Sequence, residues 1–600
     1  MEQQNKRPFQ HLPFSLPSEH DPGPKFFYDN FVSKFMPDII QIMYAGIYID
    51  DAAVEDLRHT VTEVLKNVDA LLLRNKLIQK YQEQKAKSNQ KKHFKKYVDA
   101  TKKPEEFYRD YNYSSLHRTW LVNTYLDTIG CSADQREQWS VKDLKNYNIF
   151  KEDSVLVKII DKSIAKHSDI VIASMKRLSK YKAKLYNKPR YDKANSKVSV
   201  EPFNAGSAKQ KQELFSMLNI EPLAHSEATG DGSWGRDNIE EIKRQTSLDK
   251  VDLHEILQCI IDHSYGAIIR NNFIKAFDTY TIDGVLYGNI RIFGAKSFRP
   301  TSNAPNLLNM PSTKSVYAKP LKKCFIAPKK MLVIQSDFAS LEDVVLANLT
   351  LDEGKLAVQR DKTLDAHCYN AMGYFTDEIE TVIGSDGTFI DKVRKFKLAV
   401  KDKNKILEAI RQKSKPITFK LAYLGYPDSH KGGVITQEIY DNYHNVLYPK
   451  VRDYLENYVK PTTKENGYIH LGLGCRLYSD DVETDFRTLF NATCQFWSIL
   501  TMIAINELNH RIKEAKLENK IIICSTIYDS IYSYISPEPK VIKWYNDNVV
   551  EIGSKDFIPN QEVPNSLSCD IGRNWAEEVS IPKNASIEDI QKILTAFKES

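Results

Sequence analysis

Between Arg411 and Tyr423 the chain reads RQKSKPITFKLAY, and four residues able to handle a nucleotide recur there at every fourth position: Arg411, Lys415, Phe419 and Tyr423. In a helix of 3.6 residues per turn each such step drifts by only about 40°, so the four lie on one slowly winding stripe. Cations near the positive end of a helix dipole suit a polyphosphate, and rings further along suit a flat base or sugar. An ordinary amphipathic helix gives the same spacing, so the reading depends on its company: an acidic strand end before it and an acidic hairpin after it.

Those neighbours are MLVIQSDF, a mainly apolar strand ending in Asp337, and IIICSTIYDSIYSYIS, two β-rich runs meeting at Tyr528, Asp529 and Ser530. A single Asp at a strand end is usually a turn or helix-cap residue. If both strand ends share a sheet, however, two carboxylates converge at one edge. Hard oxygen ligands of that kind suit Mg²⁺, and a pair of such ions can activate an attacking hydroxyl and stabilise a leaving pyrophosphate.

The rest of the chain sets limits on this reading. Its 600 residues hold several subdomains, and a net charge of +6 permits a polyanionic partner without demanding one. Eight cysteines are scattered as singles with no zinc-type spacing, which fits reduced thiols in the cytoplasm. The amino terminus lacks the apolar core of a secretion signal, and apolar runs such as WSILTMIAI at 497–505 are too short to cross a bilayer, so no membrane role is expected.

Residues 1–30 read as a polar tail. Helical periodicity follows to about Leu73, broken at GIYID (46–50) by what resembles a tight turn between two helices. From about 74 to 197 the chain is Lys-rich with interleaved Tyr and Phe. That pattern serves a backbone-tracking nucleic-acid surface or simply a solvated charged helix. Residues 203–222 read as turn then helix, YTIDGVLYGNIRIFG as strand–turn–strand, 298–312 as loop, NGYIHLGLGCRLYS as a hairpin, and 486 to about 512 as a helix.

Taken together these segments resemble the family-A DNA polymerases. SDFASLEDVVLA is similar to the family's motif A, RQKSKPITFKLAY to motif B (RxxxKxxxFxxxY) and TIYDSIY to motif C. FRPTSNAPNLLNMPS, DAHCYNA, RTLFNATCQ and DIGRNWAE resemble further family segments, and GIYID and FNAGSAKQ resemble landmarks of its thumb.

The resemblance implies an α+β right-hand fold with an antiparallel palm sheet, helical fingers and a helical thumb. The expected boundaries are a tail at 1–30, the thumb at 31–250 with its basic insertion at about 74–197, and the first part of the palm at 251–345. Fingers at 346–480 and the second part of the palm with a C-terminal extension at 481–600 complete the set.

The implied activity is template-directed addition of dNTPs to a primer end through two Mg²⁺ ions. Asp337, Asp529 and the Phe338 carbonyl would hold the metals. Arg411, Lys415 and His367 would bind the triphosphate, with Lys415 also a general acid. Phe419 would stack on sugar and base, Tyr423 would close the template–primer end of the pocket, and Glu342 would exclude a ribose 2′-hydroxyl. Arg299, Asn309, Arg487, Asn491 and Gln495 would line the minor groove, whose acceptors are common to all correct pairs.

Four departures stand out. Motif C is Tyr528-Asp529-Ser530 where the family usually has His-Asp-Glu, so a second acid is missing. Pro416 lies inside the motif B helix and is expected to kink or shorten it. Gly425 comes one residue late, and Ser297-Phe298 precedes Arg299 where the family has Thr-Gly.

About 45 residues precede the thumb landmarks, too few for a proofreading domain, so a separate exonuclease chain is expected if proofreading occurs. The basic insertion sits where a phage member of the family carries a processivity insertion, which implies DNA clamping or a processivity partner. Composition points to a bacteriophage replicative enzyme. A gap-filling or lesion-bypass polymerase and an inactive DNA-binding scaffold remain as alternatives, while Glu342 disfavours an RNA polymerase.

Overall fold

The computed structural model describes residues 23–102, 202–225, 230–308, 310–311, 315–427, 434–558 and 561–599. The tail up to residue 22, Asn309 and most of the basic insertion lie outside them. Two compact units are formed, one from 1–67 with 261–600 and one from 68–260.

The larger unit is built on a five-stranded antiparallel sheet ordered Ile521–Ile527, Ser530–Ile535, Leu332–Phe338, Leu567–Gly572, Glu578–Ile581. MLVIQSDF takes the centre because its run of apolar residues suits a strand covered on one face and flanked on both edges. Alternation puts Ile334, Ser336 and Phe338 on one face with Ile531, Ser533, Ile535, Leu567, Cys569 and Ile571, all buried. The Tyr545 hydroxyl fills that layer's polar gap, 3.3 Å from Ser336 Oγ and 3.1 Å from Ser533 Oγ.

The opposite face carries Gln335, Asp337, Ser530, Tyr532, Ser568 and Asp570. Trp575 stacks on Tyr532 at 4.2 Å and on Phe325 at 4.5 Å, closing the face at its lower end.

GIYID is not a tight turn. Ile47–Ile49 is a strand, paired on one side with Val285–Leu286 and on the other with Phe325–Ile326. Gly46 enters it at φ 62°, and a Cβ there would lie 2.5 Å from Val285 Cγ1, so glycine is required both by conformation and by space. Thr301–Asn303 likewise departs from the expected loop and pairs with Asn289–Arg291.

Helix Ile499–Glu514 continues Phe486–Gln495 through one 3₁₀ turn. Contrary to the expectation from run length, this 29-residue segment is long and apolar enough to cross a bilayer, but 83% of its most apolar window is buried inside the protein. It meets helix Ser33–Ala45, whose buried Asp38 accepts from the Asn506 and Asn509 amides at 2.7 and 2.9 Å.

In the smaller unit, helix Lys76–Lys102 covers the start of the basic segment and Ser207 caps helix Ala208–Met217. Phe215 stacks on Trp234 at 4.6 Å, and Tyr81 and Lys85 both donate to Glu213.

On the polar face of the main sheet, burial and then the neighbouring Asp570 push the Glu578 carboxyl up to about 8 against the pull of Lys322. An acid whose folded pKa is raised stabilises the fold below its unfolded pKa and loses that contribution as pH rises through the folded value. Glu578→Gln is therefore expected to flatten the fall in melting temperature between about pH 5 and about pH 8, and to stabilise the protein by roughly 1–3 kcal/mol at the upper end. Thermal unfolding across that range checks it.

Candidate nucleotidyl-transfer site

Asp337 stands next to the end of the central strand, directly opposite Ser530, and the Phe338 N–H donates to the Asp529 carbonyl at 3.1 Å. The two acids separated by almost two hundred positions thus meet at one sheet edge. Ser530 Oγ donates to Asp337 Oδ1, so a neutral donor stands at the position where the sequence departs from the motif it resembles.

Burial raises the pKa of both carboxyls. Asp529 reaches about 6, with Glu342 and Asp337 adding to the rise and Arg299 opposing it. Asp529 Oδ1 is buried without a hydrogen-bond partner.

This donor set fits a hard divalent cation: two carboxylates, one with an unsatisfied buried oxygen, beside the backbone of Phe338. Among the described residues no cluster of three or more His, Cys, Asp or Glu side chains gathers, so further ligands would have to be carbonyls, waters or phosphates.

After the strand, Ser340 at φ 50° turns the chain into helix Leu341–Thr350, whose first turn carries Glu342 and Asp343. Asp343 is anchored by the nearly buried Lys355 at 2.5 Å and by Gln359 at 2.8 Å, and Lys355 also lies 4.2 Å over the Tyr448 ring. Glu342 pairs with Arg299 and accepts from the Tyr423 hydroxyl. Arg299 in turn lies 5.7 Å from the Tyr528 ring centroid. A continuous bridge therefore runs from the acidic edge through Arg299 and Glu342 to the end of the cationic helix.

That helix, Lys405–Ala422, starts at Asn404, which caps Leu407 N–H, and buries Leu407, Ile410, Ser414, Ile417, Thr418 and Leu421. Pro416 does not shorten it. The proline is exposed, so the missing backbone bond falls on the solvent side of the helix.

Arg411, Lys415, Phe419 and Tyr423 stay off the buried face, with Phe419 57% exposed. The His367 ring is 6.3 Å from the Phe419 ring. Burial and then Lys415 lower the His367 pKa, favouring the neutral imidazole, and its Nδ1 is buried without a partner.

Arg487, expected to face the minor groove, donates from Nε to the Tyr423 carbonyl at 2.9 Å and so caps the C-terminal end of the cationic helix. Asn491 and Gln495 follow it along the less buried face of their helix, and Asn491 Oδ1 is buried and unpaired. Phe298, at φ 62°, occupies the left-handed position before Arg299 and is held by the rings of Phe27, Phe293 and Phe496.

The sequence reading gave Asp365 no role. It caps helix Ala366–Tyr374 and pairs with Arg411. The cap was readable from an Asp ahead of a helical run, whereas its partner 46 residues on was not.

The sequence model of DNA polymerase family A matches residues 175–387, a span holding Arg299, Asp337, Glu342 and His367 and ending before the cationic helix. Over that span the chain is similar to the family A DNA polymerases. It is 21% identical over 400 residues to DNA polymerase I of Chloroflexus aurantiacus, covering 63% of this chain and 38% of that protein. With DNA polymerase I of Caldicellulosiruptor bescii it shares 23% over 401 residues, 63% of this chain and 42% of the relative.

The chain thus spans about two-fifths of the curated relatives it matches. Among solved structures it is similar to the POL domain of Pol1 from M. smegmatis in complex with DNA primer-template and dNTP. The TM-score is 0.49 and the identity 20%, covering 62% of each chain.

Tyr423→Phe removes one donor from Glu342 and leaves the ring in place. It is expected to cost about 1.5–3 kcal/mol of stability in urea unfolding, the worth of a hydrogen bond to a charged acceptor.

Proposed function

We propose that this chain is a DNA-directed DNA polymerase that adds dNTPs to a primer 3′ end, using a palm (251–345 and 481–600), fingers (346–480) and thumb (31–250). The observation that carries the proposal is the Arg299–Glu342–Tyr423 bridge, which reaches from Tyr528, beside Asp529, to the end of the helix bearing Arg411 and Lys415.

In this reading Arg411 and Lys415 bind the triphosphate with His367, whose neutral ring donates or accepts without adding charge. Phe419 stacks on sugar and base. Glu342, fixed by two donors, fills the space a 2′-hydroxyl would need, and Tyr423 closes the pocket beside it. Arg299, Asn309, Arg487, Asn491 and Gln495 line the minor groove of the nascent pair.

Asp337 and Asp529, with the Phe338 carbonyl, would hold two Mg²⁺ ions, which when bound supply Lewis-acid activation of the primer hydroxyl and charge neutralisation on the phosphates. Lys415 is suited to hand a proton to the departing pyrophosphate, and closure of the fingers excludes water. Tyr528 takes over the ring position of motif C by packing against Arg299, and Ser530 holds Asp337 in place of a second acid.

The partners proposed are primer-template DNA, dNTPs, a processivity factor at the Lys-rich segment and a separate exonuclease chain, in phage replication within the host cytoplasm. These last assignments rest on sequence alone.

Asp337→Ala should abolish primer extension, with a loss of roughly 10³-fold or more, while primer-template affinity stays within a few-fold of the parent. Retained extension would end the assignment. Glu342→Ala should cut discrimination against rNTPs by about a hundredfold, read as the ratio of incorporation efficiencies for dNTP and rNTP.

A further inference from the structure

We infer that Asp365 is a positioning residue for triphosphate binding, holding Arg411 so that its guanidinium is pre-set to receive phosphate. The inference rests on the polymerase reading and adds to it a residue that touches no substrate.

Asp365 Oδ2 accepts from Arg411 Nη2 at 2.9 Å, and Oδ1 accepts both from Arg411 Nε at 3.0 Å and from the Cys368 N–H at 2.8 Å. One carboxylate therefore fixes the start of the helix bearing His367 and the side of the Arg411 fork at the same time. Ser414 reinforces the junction, its hydroxyl donating to the carbonyls of His367 at 3.2 Å and Arg411 at 2.9 Å.

The pair is largely shielded, with side-chain exposures of 20% for Arg411 and 24% for Asp365. Burial alone would raise the Asp365 pKa, yet Arg411 and the Cys368 N–H hold it below the usual carboxylate range.

A partly buried guanidinium without its counter-charge turns outward to water, so Asp365 is what keeps Arg411 against the helix face it shares with Lys415. A planar fork engaged along its Nε–Nη2 side still presents its other edge, so the pair leaves donors for a phosphate oxygen. Ordering a long side chain before the ligand arrives removes that entropy cost from binding. The carboxylate's repulsion of the triphosphate opposes this, and experiment can separate the two effects because they have opposite signs.

The test uses the full-length chain with a primer-template and one complementary dNTP, reading dNTP Kd and the maximal incorporation rate in single turnover. Parent, Asp365→Asn, Arg411→Gln and the double variant are compared, with melting temperatures. Asparagine caps a helix as well as aspartate does, so Asp365→Asn keeps the cap and removes the charged, two-oxygen clamp.

The expected result is a Kd weakened about tenfold with less than about a threefold change in rate, an almost unchanged melting temperature, and no further loss when Asp365→Asn is added to Arg411→Gln. An unchanged or tighter Kd would overturn the inference. So would equal losses in both backgrounds, which would mean the residue acts independently of Arg411. Failure of the parent chain itself to bind or incorporate dNTP would overturn the polymerase reading, before any variant is compared.

Discussion

The register between Leu332–Phe338 and Ser530–Ile535 is the constraint on which the candidate site depends. Side chains alternate across a strand, so a slip of one residue would send Asp337 into the layer now filled by Ser336, Phe338 and Tyr545 and bring Ser336 to the polar edge. That slip is blocked from the other side of the strand as well, where Leu567, Cys569 and Ile571 pack in the same layer. The hydrophobic core thus fixes the position of a carboxylate that is not part of it. Burying two acids at that edge raises both their pKa values, and Arg299 close by offsets part of the accumulated negative charge at Asp529.

The second feature is backbone strain gathered around the same place. Phe298, Ser340, Leu424 and Tyr528 all have positive φ without being glycine, and each adjoins or lies within two residues of Arg299, Glu342, Tyr423 or Asp529. Such conformations cost of order 1 kcal/mol or more apiece and persist where surroundings over-determine them. The surroundings can be named for two of them: the rings of Phe27, Phe293 and Phe496 around Phe298, and the antiparallel hairpin that fixes Tyr528. A phenylalanine can hold this left-handed position because ring packing compensates for the unfavourable φ.

Much of the architecture was legible in the chain. Apolar runs punctuated by turn residues marked the central strand and the hairpin of 521–536, and helical spacing marked the stretch from Arg411 to Tyr423 and a helix from Phe486 to about Ile512. The hairpin of Tyr468–Gly472 and Cys475–Tyr478 fell where NGYIHLGLGCRLYS suggested. GIYID was misread because a three-residue strand has no periodicity to detect, and it forms only because Val285–Leu286 and Phe325–Ile326 arrive from far along the chain. The shortening expected at Pro416 does not occur, because the proline lies on the exposed face of the helix, and facing is settled by packing.

What the sequence determined by itself was the set of chemical groups and the elements that carry them: two acids at strand ends, a cationic and aromatic stripe, a row of donors on a later helix. Local periodicity and propensity suffice for that, since they act over a few residues. Which groups touch was decided by the tertiary structure alone. Arg299 meets Glu342, Tyr423 reaches back to the same carboxylate, Arg487 caps the cationic helix, and Asp365 clasps Arg411. Pairings across 43 to 81 positions leave no local trace, because each depends on how whole strands and helices pack before any side chain can reach its partner.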